Sequence, residues 1–380
     1  MPQNFLYPQR NQPLLMPVDM REWLPEDDLV FVVLDAVAAL DLGEFRRRYR
    51  ADGHGRAAFD PEMMVALLLY GYCQGERSSR VIQKRCVRDV ACRVIAGGLY
   101  PDHATIARFR ARHEKALGGL FSQVLRLLAA EGMVSLGTLS LDGTKLAGNA
   151  AQKANRTLPQ IEKVLAEKGY VAGCNGQLVV TADQVIVGAM LSQHPVDRTL
   201  LHPLLGTCRE QLAEAGIRPK MRTVLARSGY VSEENFSCAE QQKLRLLAPL
   251  AKDPGKHRTS NPARKRDLAR LPATARAIRR MRYHRGRADC KLRAQTVEPV
   301  FGQIKTCQKL TTMSRCGLDA SRSEWLLIAT ATIYGNSTSA ASAHSARPVR
   351  PGATAIRGAS QSHRRQSRPK RHPQDPCATG

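Results

Sequence analysis

The chain has 380 residues, with 58 Lys and Arg against 33 Asp and Glu, and a formal net charge of +25. That excess disfavours a freely diffusing metabolic enzyme and favours a polyanionic partner, nucleic acid before an anionic membrane surface. A hydrophobic content of 43% excludes wholesale disorder, and no stretch reaches the roughly 18 apolar residues of a membrane span. The longest apolar run, Leu29 to Leu42, carries Asp35, and Met1–Arg10 lacks the apolar centre of a signal peptide. Ten cysteines occur without a C-x-x-C pair, and Cys86 and Cys92 have no His cluster at finger spacing. They read as reduced thiols, with no zinc site.

Residues 1–130 read as helical. Asp60-Pro61 places a capping residue and a first-turn proline ahead of the apolar run Met63 to Tyr72. Gly75 breaks that run, Ser78 or Ser79 starts the next helix through Ile82 and Cys86, and Gly97-Gly98 forces another break. A helix beginning near Asp102 carries Arg108, Arg110 and Arg112, and its apolar stripe continues through Leu117, Leu120, Phe121, Val124 and Leu127. Short helices, glycine turns and clustered arginines suit a helix-turn-helix-like DNA reader. The candidate DNA-contacting residues are Arg77, Arg80, Arg108, Arg110 and Arg112, with Arg108 and Arg112 on the expected DNA-facing side. A solvated basic face on an ordinary helical bundle remains the alternative.

After Met133 the period changes. Thr138 to Thr144 reads as a strand ending at Asp142-Gly143, and Gln177 to Leu191 as a hairpin turning at Ala182-Asp183-Gln184. A helix over 199–215, a strand at 222–226, a helix over 233–242, a strand at 244–250 and a helix from about Thr296 follow. Three early strands followed by alternating helix and strand describe a mixed sheet with helices packed on it, the order of an RNase H-like core. Lys252 to Arg293 holds fifteen Lys and Arg against three Asp, with Pro254, Pro262 and Pro272 interrupting any long helix. It is expected to contact a DNA backbone, a sequence-independent and salt-sensitive interaction. Beyond Asn336 there is no Leu and no aromatic residue, so 336–380 is expected to be a disordered basic tail.

Three segments carry candidate chemistry. In Leu139-Ser-Leu-Asp142-Gly-Thr-Lys145, a carboxylate on a buried strand precedes a Gly-Thr step and a lysine. In Val297-Glu298-Pro-Val-Phe301-Gly-Gln-Ile-Lys305, the apolar residues Val297, Val300, Phe301 and Ile304 define one helix face. Glu298 and Lys305, seven residues apart, project together from an adjoining face if Pro299 lies in a first turn or at a kink. In Leu225-Ala-Arg227-Ser-Gly229-Tyr230 a strand end meets a glycine turn.

Together with Asn175-x-Gln177 and the helical segment Pro101 to Arg110, these motifs resemble bacterial insertion-sequence transposases of the DDE class, with similarity to the family numbered 1182 among insertion sequences. The resemblance covers most of residues 15–330. It implies an α+β organisation: an InsH-type helical DNA-binding domain over 1–130, an RNase H-like catalytic core over 135–335, and the basic tail. It further implies DNA cleavage and strand transfer with two Mg2+ or Mn2+ ions held by three acids, and in-line attack of water or a DNA 3′-hydroxyl on a phosphodiester. The partners implied are double-stranded DNA at element ends and target, and further copies of the chain in a homo-oligomer. No membrane is implied, and the location is the bacterial cytoplasm at the nucleoid.

Carried over position by position, Asp142 matches the first acid and Glu298 the third, while Arg293 and Lys305 match basic positions beside the scissile phosphate, and Lys145 adds a DNA contact. The second acid of the family falls on Arg227, whose guanidinium stays charged and cannot ligate a cation. Cys290 stands where the family tends to carry Tyr, the stretch between Asn155 and Gly169 is short, and past Ala331 the apolar ending gives way to the basic tail. Asp183, in the hairpin turn, and Asp197, beyond the second hairpin strand, are both expected away from the centre of the sheet's carboxyl edge. The expectation is therefore a transposase impaired in cutting, or a non-catalytic DNA-binding relic that represses active copies. An RNA- or ribosome-associated basic protein would account for the charge and leave the motifs unexplained.

Overall fold

Short polar residues ahead of apolar runs start most of the helices in the first third of the chain. The computed structural model describes residues 19–49, 57–148, 173–218, 220–249, 271–282 and 284–345. A 3-10 turn at Met20–Trp23 leads into α1 (Leu29–Ala38), α2 (Gly43–Arg46), α3 (Pro61–Cys73), α4 (Ser79–Arg88), α5 (Val90–Ala96), α6 (His103–Arg112) and α7 (Glu114–Ala130). Asp28, Asp89 and Asp102 accept hydrogen bonds from the backbone N–H of Val30 (2.9 Å), Cys92 (3.2 Å) and Thr105 (2.8 Å), closing the first turns of α1, α5 and α6. Caps of this kind contribute about 1 kcal/mol each.

The helix expected to run unbroken from Asp102 past Leu127 is divided at His113. That residue leaves α-helical geometry (φ −108°, ψ 26°) and buries its ring against Phe109 and Phe45, with Nε2 3.2 Å from the Tyr49 hydroxyl. Fitting the ring into this aromatic group turns α7 away from α6, which periodicity alone cannot register.

The second part holds a five-stranded sheet in the order β3-β2-β1-β4-β5. Its strands are β1 (Thr138–Ala147), β2 (Gly173–Thr181), β3 (Ile186–Ser192), β4 (Thr223–Leu225) and β5 (Arg245–Leu247). β1 runs antiparallel to β2 and parallel to β4, so the sheet is mixed, as expected. Between the strands lie a 3-10 turn at Asp197–Leu200, α8 (Leu201–Glu214), a 3-10 turn at Ser228–Tyr230 and α9 (Glu233–Gln241). After β5 come α10 (Pro272–Arg282), α11 (His284–Gly302), a π-helical turn at Gln303–Cys307 and α12 (Leu318–Ser345).

Several boundaries differ from the sequence expectation. β1 continues through Asp142-Gly143 to Ala147, because the whole segment pairs with β2 from Leu139↔Thr181 to Ala147↔Gly173. The helix expected from Thr296 begins at His284, so Glu298 is not in a first turn and Pro299 sits inside α11. Proline removes the bond to the carbonyl four residues earlier. That carbonyl, Gln295 O, instead accepts from Gln184 Nε2 at 3.2 Å, and the chain then widens into the π-turn. The helix α12 also extends to Ser345, so 336–345 is helical rather than disordered. Propagating a formed helix adds one bond per residue, and Ala340, Ala341 and Ala343 favour it despite the lack of apolar bulk. Residues 346–380, the shortened stretch at 156–168 and most of the basic segment's first half (252–270) lie outside the described residues.

One apolar core, from Val30 to Tyr334, runs through both parts. α12 packs on α7, α3 and β3, burying Trp325, Leu327, Ile328 and Ile333. Burial of side chains of this size contributes about 1.5–3 kcal/mol each. Trp325 lies so close to β2 that a Cβ at Gly176 would stand 2.9 Å from its ring, and its indole N–H donates to Gln177 O at 3.3 Å.

Candidate functional site

The pairing of β1 with β4 ends at Ser140↔Leu225. Asp142, two residues further along β1, therefore stands where the chain leaves β4 through Ala226 and Arg227. Across the sheet Asp142 pairs with Leu178 and Gly143 with Gln177. The Gln177 side chain crosses Gly143 so closely that a Cβ there would displace its amide from its hydrogen bonds.

α11 is fastened to β1 by Thr296 Oγ1, 2.6 Å from Ser140 Oγ. This brings Arg293, three residues earlier, over the strand. Arg293 Nη1 donates to Asp142 Oδ2 at 2.8 Å, and Nη2 donates to Glu298 Oε1 at 2.8 Å. One guanidinium thus bridges the first and third acids of the sequence reading. The Asp142 and Arg293 side chains are 9% and 14% exposed, whereas Glu298 is 57% exposed. Burial pushes the Asp142 carboxyl above its ordinary value, opposed by the Gly143 N–H and by the charges of Arg293 and Arg227, and reinforced by Asp197.

Asp197 lies in this site, which corrects the expectation that it falls away from the sheet's carboxyl edge. β3 ends at Ser192, opposite Asn175, and the chain turns back across the β1–β2 face. Asp197 Oδ1 accepts from Asn175 Nδ2 (2.7 Å), Lys145 Nζ (3.1 Å) and Gln177 Nε2 (3.2 Å). Tyr230, fully buried, donates to Gln177 Oε1, and burial pushes its hydroxyl far above the ordinary value. Gly229 stands beside Asp197, with a Cβ there 3.3 Å from Oδ2. The motifs Asn175-x-Gln177 and Gly229-Tyr230 therefore converge on one polar network centred on the half-buried Asp197. The signal that could have located it is the short separation of Asp197 from the end of β3 at Ser192, which pairs with Asn175.

The other sequence candidates are dispersed. Lys305 is exposed in the π-turn, where the wider winding means that its seven-residue separation from Glu298 no longer equals two α-turns. Arg77 donates to Thr312 O at 2.8 Å and lies 3.4 Å from Glu324, a carboxylate with no exposed surface. Arg110 donates to Arg77 O (2.8 Å), Ser79 Oγ (2.7 Å) and Tyr72 OH (3.3 Å). Arg110 thus fastens the first part of the chain internally, and Arg77 ties it to the second part. Arg108 and Arg112 are exposed and line a cavity of about 410 Å3 with Tyr49, Phe59 and Tyr100, Arg112 stacking over Tyr49 at 5.6 Å. Arg80 is exposed on α4. No helix among the described residues is long and apolar enough to cross a membrane.

Comparison with known proteins adds two matches. Residues 18–112 match the family model described as a transposase domain (DUF772), and residues 138–334 match the one described as the transposase DDE domain. No curated protein and no solved structure matches.

Proposed function

Because the chain belongs to the DDE transposases of the insertion-sequence type, we propose that it binds the DNA of element ends through its basic surfaces while its own cutting and strand-transfer chemistry is impaired. The observation that carries this reading is the bridge of Arg293 to Asp142 and Glu298, with Arg227 where the family's second acid falls.

In this family divalent metal ions activate water or a 3′-hydroxyl for attack on a phosphodiester. The residues present do not fit such ions. Two cationic side chains stand where a metal pair needs anionic oxygens, and Asp197, the nearest further acid, already accepts from Lys145, Asn175 and Gln177. Among the described residues no group of three His, Cys, Asp or Glu side chains could hold a metal ion. What remains at the carboxyl edge is a carboxylate pair bridged by Arg293 and, beside it, an exposed Arg227, a guanidinium that attracts a phosphodiester without breaking it. The same arrangement favours the second reading, a non-catalytic DNA-binding protein that occupies element ends and represses active copies.

The test is Mn2+-dependent nicking of a supercoiled plasmid carrying the element ends, with wild type and Arg227→Asp. Wild type is expected to retard the plasmid in a gel and leave it supercoiled. Equal nicking by wild type and Arg227→Asp overturns the assignment of position 227.

A further inference from the structure

We propose that the outer face of α4 is a track for the sugar–phosphate backbone of duplex DNA. The proposal rests on the DNA-binding reading above and says where on the first part of the chain the duplex lies. Arg80, Lys84 and Arg88 follow one another at intervals of four residues and are all exposed. At the rise of an α-helix their Cα atoms are spaced by about 6 Å, a step suited to following consecutive phosphates along one strand. Like charges four residues apart weaken a helix, and none of the three has an ion-pair partner among the described residues. Arg85, on the inner side of the same helix, is by contrast paired with Glu76 and Asp89.

The three cations line a shallow groove of about 380 Å3 with Gln83, Val87 and His103, the first residue of α6. Gln83 Oε1 accepts from the His103 backbone N–H at 3.1 Å and lies 3.0 Å from its Nδ1, which sets the start of α6 against α4. Val87 is 57% exposed between Lys84 and Arg88, an apolar surface suited to a deoxyribose. The arginines that sequence reasoning placed on DNA nearby, Arg77 and Arg110, are internal fasteners. The exposed, unpaired charge of this region therefore includes α4, Arg108 and Arg112 and leaves out Arg77 and Arg110.

Fluorescence anisotropy of the full chain with a labelled 30-base-pair duplex of arbitrary sequence, over a series of KCl concentrations, tests the track. Each phosphate contact removed lowers the slope of log K against log salt by about 0.9. The triple variant Arg80→Gln/Lys84→Gln/Arg88→Gln is expected to lower it by about 2 to 3, with an unchanged helical circular dichroism spectrum. The variant Arg80→Lys/Arg88→Lys is expected to keep the wild-type slope. A control removing the same charge elsewhere, Lys115→Gln/Lys243→Gln/Lys309→Gln, is expected to change the slope little. Equal effects of the two triple variants, or a wild-type slope in the α4 triple, overturn the track while leaving DNA binding intact. Failure of wild type to bind the duplex at any salt overturns the function proposed above as well.

Discussion

Replacing Arg293 with Met removes the cation from a carboxylate that is 9% exposed, leaving Asp142 with its own strand's Gly143 N–H and the more distant Arg227. Breaking a buried ion pair from one side costs about 3–5 kcal/mol. Arg227 offsets part of that, so the expected loss at pH 7 is about 2–4 kcal/mol. The cost should depend on pH in a definite direction. Burial already holds the Asp142 carboxyl above its ordinary value, and without Arg293 it climbs further. The folded chain then keeps a proton on Asp142 that the unfolded chain releases at lower pH. Stability is therefore retained below the unfolded-state value and is lost as pH rises through the folded-state value. Urea unfolding of wild type and Arg293→Met between pH 4.5 and 7.5 should show a midpoint difference that grows with pH. The double variant Asp142→Asn/Arg293→Met should recover at least half of the loss at pH 7. A midpoint difference that is the same at every pH, or a double variant no better than the single, would refute the assignment of Arg293 as the neutralising group.

Three further outcomes follow from the same geometry. Arg77→Met leaves the buried Glu324 carboxylate without its cation and should lower stability by about 3–5 kcal/mol in thermal unfolding; lost DNA affinity with an unchanged melting temperature would contradict its fastening role. Gly176→Ala drives a methyl group into the Trp325 ring and should cost about 1–3 kcal/mol, with a changed near-ultraviolet circular dichroism band from tryptophan. Asp197→Ala removes the common acceptor of Lys145, Asn175 and Gln177 and should cost about 2 kcal/mol or more in urea unfolding, whereas Asp197→Asn should retain part of that stability.

Much of the fold was legible because local signals and tertiary demands agree. The cap at Asp102, the proline heading α3, the change of period after Met133 and the hairpin turn near Ala182 each point to one local structure, and the core accepts it. The failures fall where distant parts of the chain decide. β1 outruns its Asp-Gly step because β2 offers it nine partners in register. α6 stops at His113 because that ring belongs to a cluster with Phe45, Phe109 and Tyr49. Pro299 is accommodated inside a helix because Gln184, more than a hundred residues earlier, takes up the carbonyl it frees.

At the site, Asp142, Glu298 and Arg227 were legible as residue types within motifs. Their relation was not, since an arginine spanning two acids leaves no trace in spacing. Arg77 and Arg110 show the same limit, because a guanidinium reads as a surface charge until Glu324, Thr312 and Ser79 are found around it.

The central claim is that the carboxyl edge of the sheet no longer holds a metal pair. Calorimetric titration of Mn2+ into the full chain, beside the Glu298→Ala variant, tests it directly. The account predicts that wild type and variant give the same trace, with no saturable heat that depends on Glu298. Binding in the micromolar-to-millimolar range that disappears in Glu298→Ala would contradict it, and would mean that Asp142 and Glu298 release Arg293 to take up a cation together.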